Sequence, residues 1–118
     1  MPRLYIRRLD QLTATPLAGT DNAVGPFFSP DGKWLASSDQ DGYLIRWDVA
    51  ARQPRWRIKT NFPDNVCLAI STDGRWLAVR AGVYESDTAR RVLNFELMHI
   101  VHPEGTAFSA DGLRLACV

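Results

Sequence analysis

The chain has 118 residues, 46% of them apolar and 23% charged, with a formal net charge of +1. That is the balance of a soluble globular domain able to bury one modest core, and near-neutrality gives no general attraction to nucleic acid or acidic membranes. The N-terminal run MPRLYIRRLD is charged and lacks an apolar stretch of signal or membrane-span length, so a cytoplasmic setting without a membrane partner is expected.

Short apolar runs between turn dipeptides predict strands throughout and no helix: 3–9, 14–18, 24–28, 33–38, 43–49, 54–60, 65–70, 75–80, 83–87, 91–98, 105–108 and 113–118. The turn between the third and fourth of these is Ser29-Pro30-Asp31-Gly32. Proline pre-sets the backbone there, Asp31 bonds a backbone N–H two residues on, and Gly32 takes the left-handed position. Asp41-Gly42 then joins 33–38 to YLIRWDV as a hairpin of half-buried strands. In the next strand Arg55, Arg57 and Lys59 alternate with Trp56 and Ile58. Two readings compete. Arg55, Trp56 and Arg57 form a candidate contact surface for an anion, with Trp56 as a stacking platform; or this is an outermost strand whose charges discourage edge pairing. The near-neutral total favours the edge strand, for Arg7-Arg8 and Arg90-Arg91 as well, and no nucleic-acid partner is expected.

Cys67 and Cys117 sit in apolar runs without neighbouring ligands, which predicts buried free thiols. His99 and His102 lie near Glu96 and Glu104, but a separation of three on a strand turns side chains to opposite faces, so no metal site is expected. The chain has no nucleophile elbow, phosphate loop or zinc-protease motif. The expectation is therefore no catalytic residue, no metal and no cofactor.

Laid against itself, the chain repeats. SPDGKWLAS begins at Ser29, STDGRWLAV at Ser71 and SADGLRLAC at Ser109, 42 and 38 residues apart. Asp73-Gly74 and Asp111-Gly112 are kept while Thr72 and Ala110 replace the proline, so the turn is held by Asp-Gly. A second series, RRLD at Asp10, IRWD at Asp48 and YESD at Asp87, is spaced 38 and 39. One period in two series, near the roughly 40–45 residues of a propeller blade, predicts an all-β partial β-propeller of about three blades' worth. Its parts are a half-blade at 1–20, four-stranded antiparallel blades at 21–60 and 61–98, and a half-blade at 99–118. Matching Asp87 to Asp48 puts VLNFELM where PRWRIKT sits as the outer strand.

On these motifs the chain resembles the WD-repeat (WD40-like) β-propeller family, and its first repeat is similar to the related TolB-like propeller repeats. The resemblance implies a blade network of Ser37, Trp47, Asp41 and Thr20, the last standing where the family has histidine, beside the Trp47-Asp48 pair. Asn61, Val79 and Ser86 fill the corresponding places of the next blade, so apolar packing is expected to hold the blades. Trp47 should be buried near the Ser37 strand, with Trp34 and Trp76 in equivalent places. The implied function is a non-catalytic protein-interaction scaffold whose contact surface is formed by loops at one end of the blades. The alternative is the sensor or propeller portion of a larger signalling protein or hydrolase whose catalytic domain is encoded elsewhere. Propellers close with about four to eight blades, so the chain is expected to be a segment of a longer propeller. Otherwise, two chains self-associate by exchanging half-blades into a six-bladed ring.

Overall fold

One turn, used three times, sets the architecture. Ser29 Oγ donates to Asp31 Oδ1 at 2.7 Å, and the same carboxylate oxygen accepts the Lys33 N–H at 2.9 Å. Gly32 N bonds Ser29 O with φ at 72°, and Trp34 N reaches back to Ser29 Oγ. Ser71-Asp73-Gly74 and Ser109-Asp111-Gly112 repeat these bonds. The variable second position, Pro30, Thr72 or Ala110, is exposed in every copy, which is why its identity is free to change.

The computed structural model describes residues 3–7, 15–16, 23–60, 67–94 and 106–117. Strands β1 (Tyr5–Ile6) and β2 (Thr15–Pro16) pair. β3 (Ala23–Phe28), β4 (Trp34–Asp39), β5 (Tyr43–Asp48) and β6 (Gln53–Lys59) follow one another across an antiparallel sheet. β7 (Cys67–Ile70), β8 (Trp76–Val79), β9 (Gly82–Glu85) and β10 (Arg91–Asn94) form a second, and β11 (Thr106–Phe108) pairs with β12 (Leu115–Cys117). The chain is all-β: two four-stranded blades flanked by two-stranded half-blades.

The sheets stack face to face, and strand alternation sends successive side chains of β4 and β5 into different seams. Leu35, Ile45 and Trp47 meet Leu4 of the N-terminal pair. Trp34, Ala36 and Leu44, on the opposite face, meet Leu77, Val79 and Tyr84. Ala78 and Val83 face the C-terminal pair, where Trp76, Phe108 and Leu115 pack. β4 is buried on both faces, its apolar half Trp34-Leu35-Ala36 followed by the buried Ser37 and Ser38; each large apolar side chain so buried contributes about 1.5–3 kcal/mol.

The second blade departs from the expected alignment. Asp48 corresponds to Glu85, not to Asp87. Trp34 pairs with Asp48 as Trp76 pairs with Glu85. The turn after each is the same, with Arg52 N on Asp48 O and Ala89 N on Glu85 O, and with Arg52 and Ala89 at φ of 55° and 63°. The shift arises in the preceding hairpin. In the first blade Ser38 pairs with Leu44, whereas in the second Val79 pairs directly with Gly82 across Arg80-Ala81. A shorter hairpin places Tyr84 opposite Leu77, where Trp47 stands opposite Leu35.

Candidate functional site

Among the described residues, most side-chain hydrogen bonds inside a blade close its turns, and one joins two buried strands. Trp47 Nε1 donates to Ser37 Oγ at 2.9 Å, both residues being buried. Thr20 lies outside the described residues. Asp41 is exposed, and the carboxylate that organises its turn belongs to Asp39, whose Oδ1 accepts the N–H groups of Asp41 and Tyr43 at 2.9 and 3.0 Å. An aspartate at the first turn position receives the backbone donors that follow it, so the sequence SSDQDG carried that signal at Asp39. Asp48 is likewise exposed and accepts Ala51 N at 3.0 Å, capping the next turn rather than touching Trp47. Asp31, Gly32, Asp73, Gly74, Asp111 and Gly112 hold the three repeat turns. There the Lys33 and Arg75 N–H groups, then the serine hydroxyls, bring the Asp31 and Asp73 carboxyls below their ordinary 3.8; for Asp111 the Ser109 hydroxyl acts first, then the Leu113 N–H.

Between the blades the contacts are more specific. Arg46 is buried against Trp34, its guanidinium 4.5 Å from the ring centroid. Its Nη1 donates to Ser86 O at 2.7 Å and to Asp87 Oδ1 at 3.0 Å. Trp56 Nε1 donates to the same Ser86 carbonyl at 2.8 Å, so this indole stitches β6 to the next blade and is not a free stacking platform. Arg57 rests 3.7 Å over the Tyr43 ring. Arg55 has a different setting. The register slips between Arg46↔Trp56 and Trp47↔Pro54, leaving Arg55 as the extra residue of a bulge, and bulges re-aim side chains. The edge-strand reading of β6 and the contact-surface reading thus meet in one strand, with Arg55 alone of the three turned into a cavity.

That cavity is a groove of about 630 Å³ between the two complete blades, at the end bearing the repeat turns. Lys33, Arg46 and Arg55 reach it from the first blade and Asp73, Arg75 and Asp87 from the second. A smaller groove of about 330 Å³ lies between the second blade and the β11–β12 pair. The observed register makes the two equivalent. Trp34 corresponds to Trp76, Arg46 to Val83, Arg55 to Val92 and Trp56 to Leu93, with Val92 again at a bulge. The turn residue Arg75 of the first groove corresponds to Leu113 of the second. The same scaffold therefore builds one groove lined by charges of both signs and one that is mainly apolar but keeps Arg75, in the place of Lys33, and Arg114. Periodicity alone missed this, because the pairing of Arg46 and Arg55 with Val83 and Val92 needs the shortened hairpin. His99, His102, Glu96 and Glu104 lie outside the described residues, as do the side-chain surroundings of Cys67 and Cys117.

Stacked four-stranded antiparallel sheets with a Trp-Asp third strand define a β-propeller repeat. Residues 17–48 match the family model of the WD domain, G-beta repeat. An uncharacterized WD repeat-containing protein of Synechocystis sp. is 31% identical over 120 residues, covering 92% of this chain and 34% of that protein. A chain in the crystal structure of a mitotic checkpoint complex superposes with a TM-score of 0.76 at 22% identity, over 98% of this chain and 37% of that one. The crystal structure of RRP9 WD40 repeats gives 0.69 at 23% identity, over 86% and 34%. Residues 17–48 thus match a WD repeat, the chain shares the fold of the solved WD40 propellers, and it spans about a third of the length of the relatives it matches.

Proposed function

We propose that this chain is a non-catalytic portion of a WD-repeat propeller that binds a protein partner through the end carrying the repeat turns. The observation that carries the reading is the charged groove between the two complete blades. Arg46 ties the blades through Ser86 and Asp87, but Arg55 makes no such tie among the described residues, and Val92 fills its equivalent place next door. Rigid blades that present loops and grooves are suited to recognition, because the scaffold fixes the backbone from which each side chain projects and so lowers the cost of ordering on binding. The structural relative from a mitotic checkpoint complex is itself part of an assembly, which favours the same direction. The alternative, a sensor or propeller portion of a larger signalling protein or hydrolase, draws its support from coverage, the chain matching 34% of its Synechocystis relative. Closure of the blades, whether by further repeats or by a second copy exchanging half-blades, belongs to the same proposal, as does a cytoplasmic setting without cofactor or nucleic acid.

Cross-linking mass spectrometry on the protein purified with its bound partners tests the scaffold. Cross-links to a partner that cluster at Lys33 and the repeat turns support it. Cross-links confined to Lys59, at the other end of β6, would move the contact surface off the turn end.

A further inference from the structure

We propose that the groove between the two complete blades takes an acidic side chain of a partner's peptide, with Arg55 and Lys33 receiving the carboxylate. This deepens the scaffold reading and rests on it.

The groove holds carboxylates as well as cations, so the question is which charges are already spoken for. Asp31 and Asp73 each give Oδ1 to a serine hydroxyl and a backbone N–H of their own turn. Asp48 gives Oδ1 to Ala51 N. Asp87 is paired to Arg46. Each carboxylate lining the groove thus holds a donor of the chain through Oδ1, and the four carboxylates, Asp31, Asp48, Asp73 and Asp87, balance the four cations, Lys33, Arg46, Arg55 and Arg75. The cations are held less closely, Lys33 by electrostatic attraction to Asp31 without an ion-pair contact. Lys33 and Arg55 have no ion pair among the described residues. Arg46 spends Nη1 on both its acceptors, while its Nε, buried with the rest of an 8% exposed residue, has no hydrogen-bond partner among the described residues.

Two further observations give these charges a direction. The β5–β6 bulge turns Arg55 into the groove beside Trp56, whereas regular alternation would send neighbouring side chains to opposite faces. The equivalent groove, built by the same turns and the same bulge, carries Val83, Val92 and Leu113 in place of Arg46, Arg55 and Arg75. The fold therefore tolerates apolar residues in the places of Arg46 and Arg55; Arg46 is used within the fold by Ser86 and Asp87, Lys33 corresponds to Arg75 of the second groove, and Arg55 is the cation that the fold itself leaves without a partner among the described residues. Guanidinium groups favour planar acceptors, and a carboxylate meets that geometry with charge-assisted bonds.

Fluorescence anisotropy with the full-length protein provides the test. The probes are three short fluorescein-labelled peptides of one scaffold sequence carrying glutamate, glutamine or phosphoserine at its centre. The glutamate peptide should bind about tenfold or more tightly than its glutamine counterpart. Lys33→Glu and Arg55→Glu should each remove about that factor, while Lys59→Glu, the same charge change outside the groove, should leave affinity unchanged. If Arg55→Glu lowers the melting temperature, Arg55→Gln takes its place. Equal binding of the glutamate and glutamine peptides, or equal weakening by all three charge reversals, overturns the proposal. Preferential binding of the phosphoserine peptide also overturns it, in favour of phosphate. If the glutamate peptide fails to bind while partner cross-links still fall on the turn end, the scaffold reading stands and only the carboxylate assignment is lost.

Discussion

The two complete blades agree at one end and differ at the other. At the end of the repeat turns, Ser29-Asp31-Gly32 and Ser71-Asp73-Gly74 make the same bonds, and Asp48 and Glu85 start turns with the same left-handed residue. At the opposite end the second-to-third strand connection is cut to Arg80-Ala81. The shared end depends on side chains that bond their own backbone, so it is insensitive to what packs nearby. The differing interior depends on partners from separate strands, which must change together. Trp47 with Ser37 in the first blade is replaced by Tyr84 with Val79 in the second. A buried indole N–H needs an acceptor and finds Ser37; Tyr84, its hydroxyl raised in pKa first by burial, turns to Arg91.

The sharpest way to break the comparison is at the shortened hairpin. Gly82 has φ of +154°, and a Cβ there would run into the Leu93 carbonyl oxygen. Gly82→Val should cost about 2–6 kcal/mol from backbone strain and overlap combined. Gly32→Ala, with open space around it and only φ of +72° to strain, should cost about 1–2 kcal/mol. Denaturant unfolding of both variants reads the difference, and equal losses would mean that the two turns are not distinct in the way described.

Next in size is the Trp47 pair. Trp47→Ala should destabilise by about 3–5 kcal/mol, and a variant melting within a degree or two of the parent would contradict its burial. Ser37→Ala, which strands the indole N–H, should cost about 1–3 kcal/mol in the same assay. The double variant should lose less than the sum, since the two share one hydrogen bond.

A smaller effect belongs to the inter-blade tie. The Asp87 side chain is 74% exposed and Arg46 keeps the Ser86 carbonyl without it. Asp87→Asn should therefore cost no more than about 1 kcal/mol, less in high salt. Melting curves at two salt concentrations would check this, and a loss insensitive to salt would point to a desolvated pair.

The smallest effect concerns acid. The Asp31 and Asp73 carboxyls are depressed below 3.8 by backbone N–H groups and then serine hydroxyls. A depressed folded pKa means stability that is present above the unfolded value and lost as pH falls from about 4 through the folded value. Asp31→Asn and Asp73→Asn should flatten the pH dependence of the melting temperature in that acid window and leave its slope near neutrality unchanged. A slope change near neutrality would implicate another group.

Much of the scaffold was legible in the sequence because its signals are local. Ser-x-Asp-Gly closes its turn through atoms within five residues, and the short apolar runs in WLAS and YLIRW declare strands buried on both faces. Repetition at a near-constant period then supplied the blades and half-blades. The tertiary structure decided what depends on register. A two-residue hairpin moved the second blade's third strand by two positions, so Glu85 and Tyr84 stand where Asp87 and Ser86 were expected. It also drew Trp56 into the seam with Ser86, turned Arg55 into the groove through a bulge, and set Arg46 opposite the place Val83 holds in the next blade. A one-residue slip reverses the face of every side chain on a strand, so where charges converge is settled only when strands pair.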